Sequence, residues 1–494
     1  MKLRKASSEE DKQIVRLKIS EQLARNGGLA MKVGQVVANY KKDPAFQQLL
    51  KGIPQRKFSE MKKQFASGED HPNLGDYEFI DEKARAASLG QVHKAKLKTG
   101  EVVAVKIQYP EMRKTIDAEL KLAGLVPMMG PAKKWQIDLN SYRRVLIKDL
   151  KSELDYRNEA QKQQQFLEGL ADIEGLIIPK VYPEYSSDRV LTQSWEEGVF
   201  FDEVVNWDKK DRIMVARTLL MALWKSMFVL GEVHTDPHLG NYFFNKKEGE
   251  KPTVTLLDFG STITVSESER MALLKLILAT REKIDLNYMQ CFAAMGFDLP
   301  KLSYIEHELP MICPVLFKPF LTNTSFNVDD WKVTRGFEVI LGDRKWWFRS
   351  SGSADLYLLM RSFQGVMLQL KDLDVQLPWW GIMSKALGEE VLQKARDYQL
   401  PPMPAYEKKE PVKAISKVLR VIMTEGEKEL MSLNFPPDAA LDLEELMPES
   451  ALEEMYASGW QMEDLREQLL ETQLAPMVIF ESETDGKAHK VWLE

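Results

Sequence analysis

An aspartate and an asparagine stand five residues apart in His234-Thr235-Asp236-Pro237-His238-Leu239-Gly240-Asn241, and a second aspartate follows seventeen residues later in Asp258-Phe259-Gly260. These residue types suit phosphoryl transfer. A carboxylate such as Asp236 can take the proton of an attacking hydroxyl. The amide oxygen of Asn241 and the carboxylate of Asp258 can hold a divalent cation that bridges nucleotide phosphates. Sharing a cation requires the two stretches to lie side by side. Between them run Tyr242-Phe243-Phe244, a charged turn over 246–250, and Val254-Thr255-Leu256-Leu257. Two short apolar runs about a polar turn predict a β-hairpin, which would return Asp258 to Asn241. Either stretch alone occurs by chance. The two in this order, joined by a hairpin, are read as a nucleotide site.

Phosphates also need a cation from the protein. Val103-Ala104-Val105-Lys106 has the form of the V-A-I-K strand of kinases, whose lysine meets the α/β-phosphates and is held by a helix glutamate. Glu159, 53 residues further on in Arg157-Asn158-Glu159-Ala160, is the candidate partner, with an insertion over roughly 110–148 to fill the distance. A glycine-rich loop ordinarily covers the phosphates. Here the stretch is Ala84-Arg85-Ala86-Ala87-Ser88-Leu89-Gly90-Gln91, in which Gly90 alone keeps the pattern. Alanines restrict φ and add Cβ atoms, so a stiffer loop is expected. Ala86, Ala87, Ser88, Gly90, Lys106 and Gln193 are the residues expected to face a nucleotide; Arg85 could meet a phosphate or face solvent.

The elements that must position these groups follow from periodicity. Strands are predicted over 77–84, 91–97 and 102–108, with a tight turn at Lys98-Thr99-Gly100-Glu101, and two more over 176–182 and 189–195. Helix is predicted over 9–40 and through most of 111–168. A long apolar helix over 207–230 leads into the His234 loop. Ser266-Glu267-Ser268-Glu269 is a capping box that starts the next helix, and helical patterns continue to about residue 398. Leu400-Pro401-Pro402-Met403-Pro404 marks a boundary.

As an ordered set these motifs resemble the UbiB/AarF atypical kinases. The Ala-rich loop, VAVKIQYP over 103–110, Glu153-Leu154-Asp155-Tyr156-Arg157-Asn158-Glu159-Ala160, HTDPHLGN and DFG all stand in that family's order, and Lys32-Val33-Gly34-Gln35 matches its K-x-G-Q signature. The resemblance covers about residues 20–265 and implies an α+β, two-lobed protein-kinase-like fold with an N-terminal helical extension and a helical C-terminal region. It implies an extension over 1–75, a small lobe over 76–199 with a helical insertion and a mostly helical large lobe over 200–400. An acidic, helix-forming appendage is expected over 401–494. It gives Lys106, Glu159 and Asp236 catalytic roles and makes Asn241 and Asp258 metal ligands. Lys32 and Gln35 would lie over the active site, supported by Glu153 and Asp155. Implied cofactors are ATP or ADP with Mg²⁺. Implied partners are a nucleotide, a lipid or isoprenoid ligand and a peripheral membrane contact, without nucleic acid. Thr235 and Leu239 depart from the family's usual Ala and Pro.

Composition bounds the rest. The 494 residues are 44% apolar and 29% charged, as in ordinary globular chains. Two cysteines, Cys291 and Cys313, make no disulfide framework and point to a reducing compartment. No N-terminal signal pattern and no run of eighteen uncharged apolar residues is visible, so a cytoplasmic protein, membrane-associated at most at its surface, is expected. The net charge of −7 is uneven: residues 1–64 carry fifteen Lys/Arg against six Asp/Glu, and residues 438–494 carry fifteen Asp/Glu against three Lys/Arg. A basic front could meet anionic lipid or an acidic partner, or the two ends could neutralise each other.

Three functions remain open on the residues. One is a UbiB-like kinase or ATPase that handles lipid intermediates. The second is a small-molecule kinase of the aminoglycoside or choline type, which leaves Lys32, Gln35, Glu153 and Asp155 unexplained. The third is a non-catalytic nucleotide scaffold, which leaves the retention of Lys106, Asp236, Asn241 and Asp258 unexplained. An ordinary protein kinase is disfavoured, because no A-P-E follows DFG and five residues separate Gly260 from Ser266.

Overall fold

Strands β1 (Tyr77–Ala86), β2 (Gly90–Leu97), β3 (Val102–Gln108) and β5 (Val190–Ser194) form an antiparallel sheet in the order β1-β2-β3-β5. The computed structural model describes residues 55–66, 72–87, 89–110, 112, 138–409, 416–426, 428–447, 452, 455–484 and 486–494. Lys32, Gln35, Ser88, the helix expected over 9–40 and much of the insertion lie outside those residues. The β2–β3 turn is made at Gly100, whose φ of 108° is one that glycine adopts without strain. On one face of β3, Val103, Val105 and Ile107 pack with Tyr77, Leu97 and Val190. By the two-residue period of a strand, Ala104 and Lys106 point the other way.

Four strands form this sheet, not the five expected. The segment 176–182 contributes only a bridge from Val181 to Gln193, while β4 (Leu176–Ile177) runs parallel to a strand of the large lobe. Pro179 separates β4 from that bridge and Pro183 follows it, and proline has no N–H to donate to a ladder. Two helices precede it. Helix α1 (Leu139–Ser152) starts at Asp138, which accepts from Ser141 N, and α2 (Tyr156–Gly169) starts at Asp155, which accepts from Arg157 N and Asn158 N. Tyr156 and Ala160 of α2 meet Leu191 of β5 and Val181.

The large lobe is mostly helical, as expected. Helix α3 (Lys209–Lys225) continues into a π-helical turn, Ser226–Leu230, closed by Gly231 at φ 73°. Lys209–Leu230 is long and apolar enough to cross a bilayer, but 56% of its apolar window is buried, with Val215, Leu219, Leu220 and Trp224 inside the core. Ser266 and Glu269 form the capping box that opens α4 (Glu267–Glu282). Helices α5 (Ala354–Asp372) and α6 (Trp379–Asp397) complete the lobe.

Beyond residue 401 the reading as a helix-forming appendage is corrected. Strands Leu419–Glu425, Lys428–Phe435, Met477–Thr484 and Lys487–Leu493 form a four-stranded antiparallel sheet, over which helix Met462–Glu471 packs Leu465 and Leu469. The acidic residues that favoured helix lie outside this core. Val491 and Leu493 are buried while Lys490 and Trp492 alternate with them, a period of two.

A buried histidine makes the small lobe sensitive to pH. His93 is fully buried on β2; its Nδ1 donates to Asp81 O at 2.6 Å, so its Nε2 accepts from Gln91 Nε2 at 2.9 Å. Burial lowers its pKa from 6.5, with the Asp81 carbonyl opposing. The unfolded chain therefore binds a proton that the folded one refuses, and stability must fall as pH drops below 6.5. Urea unfolding at pH 7.5 and 5.5 should show a loss to which His93 contributes up to about 1 kcal/mol. The His93→Gln protein should show a smaller pH dependence than wild type; an equal one would refute the assignment.

Candidate active site

Two short antiparallel pairings fasten the His234 and Asp258 stretches together. At one end β6 (Glu232–His234) pairs with β9 (Thr262–Thr264), and Thr235 N donates to Ser261 O at 3.0 Å. At the other, β7 (Tyr242–Asn245) and β8 (Thr253–Leu256) form the expected hairpin, and Leu257 N donates to Asn241 O at 2.9 Å. Asn241 Nδ2 donates to Asp236 Oδ2 at 3.0 Å and to Asp236 O at 3.1 Å. The amide nitrogen thus fixes Asp236, and the amide oxygen is the atom a cation would meet.

Lys106 joins the small lobe to this pair of loops. Its Nζ donates to Glu159 Oε1 at 2.6 Å and to Asp258 Oδ2 at 2.8 Å, and lies 5.0 Å from the Tyr156 ring centroid. Burial works to lower the lysine pKa, but Asp258 and Glu159 more than reverse it, so the ammonium is held charged. Burial pushes the Glu159 carboxyl up to about 7, with Lys106 pulling against it. Burial also acts to raise Asp258, but Lys106 and the Gly260 N–H, 2.9 Å from Oδ1, hold it below the ordinary carboxylate value. Asp258 is the charged carboxylate, the form a hard cation requires.

Asp155 has a local task that the family pattern did not state: it caps α2 and so aims Glu159, one turn in, at Lys106. An aspartate shortly before a run of good helix formers (Glu159-Ala160-Gln161-Lys162-Gln163) was a signal for that cap. Glu153 Cγ lies 3.2 Å from where a Cβ on Gly260 would stand, so this residue packs against the DFG turn. Contacts of either with Lys32 or Gln35 fall outside the described residues. A chain of ring contacts from Phe166 of α2 to Phe259 (5.1 Å, tilted) to His234 (5.9 Å, edge-to-face) ties helix and both loops together, and His234 Nε2 donates to Asp258 O at 2.5 Å. Sequence reading passed over Phe166, whose position seven residues after Glu159 gave no motif.

The loop between β1 and β2 is a tight turn in which Ala87 N donates to Gly90 O at 2.9 Å. Gly90 has a packing reason to be glycine: a Cβ there would lie 2.3 Å from Ile107 O and 2.9 Å from Tyr156 Oη. Arg85 reaches neither a phosphate-facing partner nor open solvent alone; its guanidinium stands 5.3 Å from the rings of both Trp195 and Phe243. Gln193 pairs with Ala104 and so shares the face of Lys106. Its buried Oε1 accepts no hydrogen bond among the described residues, an atom that a donor on a nucleotide base would satisfy.

Asp236, Asn241 and Asp258 offer oxygen donors, which fit Mg²⁺. Among the described residues no cluster of three His, Cys, Asp or Glu forms a cage of its own. Mg²⁺ needs none, since it commonly takes one or two carboxylates and completes its shell with phosphate oxygens and water.

Residues 48–291 match the family described as the ABC1 atypical kinase-like domain. An ABC1 family protein of Schizosaccharomyces pombe is 30% identical over 308 residues, 59% of this chain and 57% of its own length. The mitochondrial atypical kinase coq-8 of Caenorhabditis elegans is 34% identical over 252 residues, 49% of this chain and 33% of its own. The chain therefore spans between a third and somewhat over half of these relatives. Among solved structures, the Rv3197–erythromycin complex from Mycobacterium tuberculosis is 22% identical, with a TM-score of 0.48 over 73% of this chain and 86% of that one, a likeness too distant to carry an argument.

The Lys106–Glu159 contact is short and nearly dry, with side chains 12% and 1% exposed. Removing Lys106 leaves two buried carboxylates without their cation, whereas removing Glu159 leaves Lys106 paired with Asp258 alone, so Lys106→Met should be the costlier change, by up to about 3–5 kcal/mol. Unfolding measurements on Lys106→Met, Glu159→Gln and the double variant should give a coupling energy of at least about 1 kcal/mol. Additive losses would argue against a direct pair.

Proposed function

Because the chain carries an ABC1 atypical kinase-like domain, we propose that it binds ATP or ADP with Mg²⁺ and uses them for phosphoryl transfer or hydrolysis tied to isoprenoid-quinone or other lipid-intermediate metabolism. The observation that carries this reading is the single ammonium of Lys106 placed between Glu159 and Asp258, with Asp236 and Asn241 held on the facing loop. Bound Mg²⁺ supplies neutralisation of phosphate charge. Asp258 and the Asn241 amide oxygen are the groups that would hold it, and Lys106 would exchange its bond to Asp258 for a phosphate oxygen while Glu159 keeps it oriented. Asp236, fixed by the Asn241 amide, would accept the proton of the attacking hydroxyl or water.

A small or lipid acceptor suits the site better than a peptide. From Gly260 the chain passes through the three-residue strand β9 directly into the Ser266 cap of α4. That leaves no extended segment on which a polypeptide substrate could lie. The lipid itself rests on the family resemblance and on Lys32, Gln35, Glu153 and Asp155 as its gating set.

The Asp258→Asn protein should fold yet lose Mg²⁺-dependent stabilisation by nucleotide, because an amide replaces the charged ligand. A thermal-shift titration with ATP, with and without Mg²⁺, checks this, and an undiminished shift would sink the metal-ligand assignment.

The Ala87→Gly protein should bind ATP more tightly relative to ADP. Ala87 is not among the residues at positive φ, so glycine there mainly adds freedom, at a stability cost of about 1 kcal/mol or less. Dissociation constants for both nucleotides on both proteins provide the test; an unchanged ratio would make the alanines merely structural.

A further inference from the structure

The His234–Asn241 loop rests on a helix well beyond the matched domain. Arg361, Gly365 and Gln369 of α5 are spaced by four residues and stack on one face of it. Arg361 Nε donates to Thr235 O at 2.6 Å, and Gln369 Nε2 donates to Pro237 O at 3.3 Å. Asp236 lies between those two carbonyls. A Cβ built on Gly365 would stand 2.1 Å from both Cβ and Cγ of Pro237.

Arg361 also reaches the small-lobe side. Its Nη2 donates to Ser261 Oγ at 3.2 Å and lies 3.6 Å from Asp149 Oδ2 of α1. Ser261 Oγ donates to Asp149 Oδ1 at 2.5 Å and shares a 2.8 Å hydrogen bond with Thr235 Oγ1. Thr235 is fully buried, so this network satisfies its hydroxyl and its carbonyl together.

We propose that α5 positions the catalytic loop, that Arg361, Gly365 and Gln369 are positioning residues for Asp236, and that Gly365 is glycine because the loop lies against the helix backbone. The inference rests on the reading of Asp236 as the group facing the phosphoryl acceptor. Glycine in mid-helix is disfavoured by propensity, so its presence needs a reason, and a close approach supplies one. The ring of Pro237 is rigid and cannot rotate away from a methyl group. Restoring ordinary contact at 3.4–4 Å from 2.1 Å moves the loop by more than 1 Å. A misplacement of about 1 Å can cost a hundredfold in rate. The Lys106, Glu159 and Asp258 contacts do not involve α5, so affinity for nucleotide without metal should survive, whereas Mg²⁺ binding should follow Asn241, which moves with the loop.

The test uses the full chain carrying Gly365→Ala. Its dissociation constant for ATP without Mg²⁺ should stay within about twofold of wild type, while kcat for phosphoryl transfer or hydrolysis with Mg²⁺ falls about ten- to a hundredfold. Amide hydrogen exchange should rise in 234–241 and stay unchanged in β3. In a Pro237→Gly background the same substitution should add little further loss of kcat, since the ring it would strike is gone. Arg361→Lys should retain more turnover than Arg361→Met, and this pair decides the matter by the same readouts if Gly365→Ala fails to fold. Wild-type turnover in Gly365→Ala, or an equal loss in both backgrounds, would overturn the proposal. Should the wild-type protein itself neither bind nor turn over nucleotide, the phosphoryl-transfer reading falls. Exchange in 234–241 then decides this inference: faster exchange in Gly365→Ala upholds the cradle, and unchanged exchange overturns it.

Discussion

One buried ammonium organises the centre of this protein. Lys106 stands between Glu159 and Asp258, and charges taken out of water are tolerated only where partners and geometry compensate them. That requirement reaches outward. Strand β3 must present Lys106 on the face opposite its buried valines. Helix α2 must start where Asp155 caps it, so that Glu159 points inward. The DFG turn must bring Asp258 to the same point, which the Gly260 N–H helps to fix.

The loops around that charge are held by redundant means. Two strand pairings close their ends, the Phe166–Phe259–His234 ring contacts link them to α2, and the Thr235–Ser261–Asp149–Arg361 network joins them to helices on either side. Thr235 is a working part of that network: its hydroxyl bonds Ser261 Oγ and its carbonyl accepts from Arg361. The glycines divide in meaning. Gly90 and Gly365 stand where another segment comes too close for a Cβ, whereas Gly100 and Gly231 serve turns at positive φ.

Much of the site could be read before any fold was known, because its residues are constrained by short-range order. Asp236 and Asn241 share one loop, Asp258 follows a hairpin whose strands announce themselves, and the Ser266 capping box marks the next helix. Other parts could not. The 176–182 segment reads as a strand by composition, yet prolines at 179 and 183 confine its pairing with β5 to residues 180–182. The region after 401 reads as helix because glutamate and leucine dominate it. Its sheet depends on Leu419 pairing with Leu493, across more than seventy residues, which no local pattern encodes.

The sequence by itself determined which groups are present to do chemistry and the order in which they come: Lys106, Glu159, Asp236, Asn241 and Asp258, with the local elements that carry each. Only the tertiary structure decided how they share charge, how closely other segments approach Gly90 and Gly365, where Arg85 rests, and that α5 packs against the His234–Asn241 loop. The physical reason is range. Periodicity, caps and turns act over a few residues and leave a mark in the chain. The approach of Arg361 to Thr235, or of Lys106 to Asp258, is set by packing between segments more than a hundred residues apart.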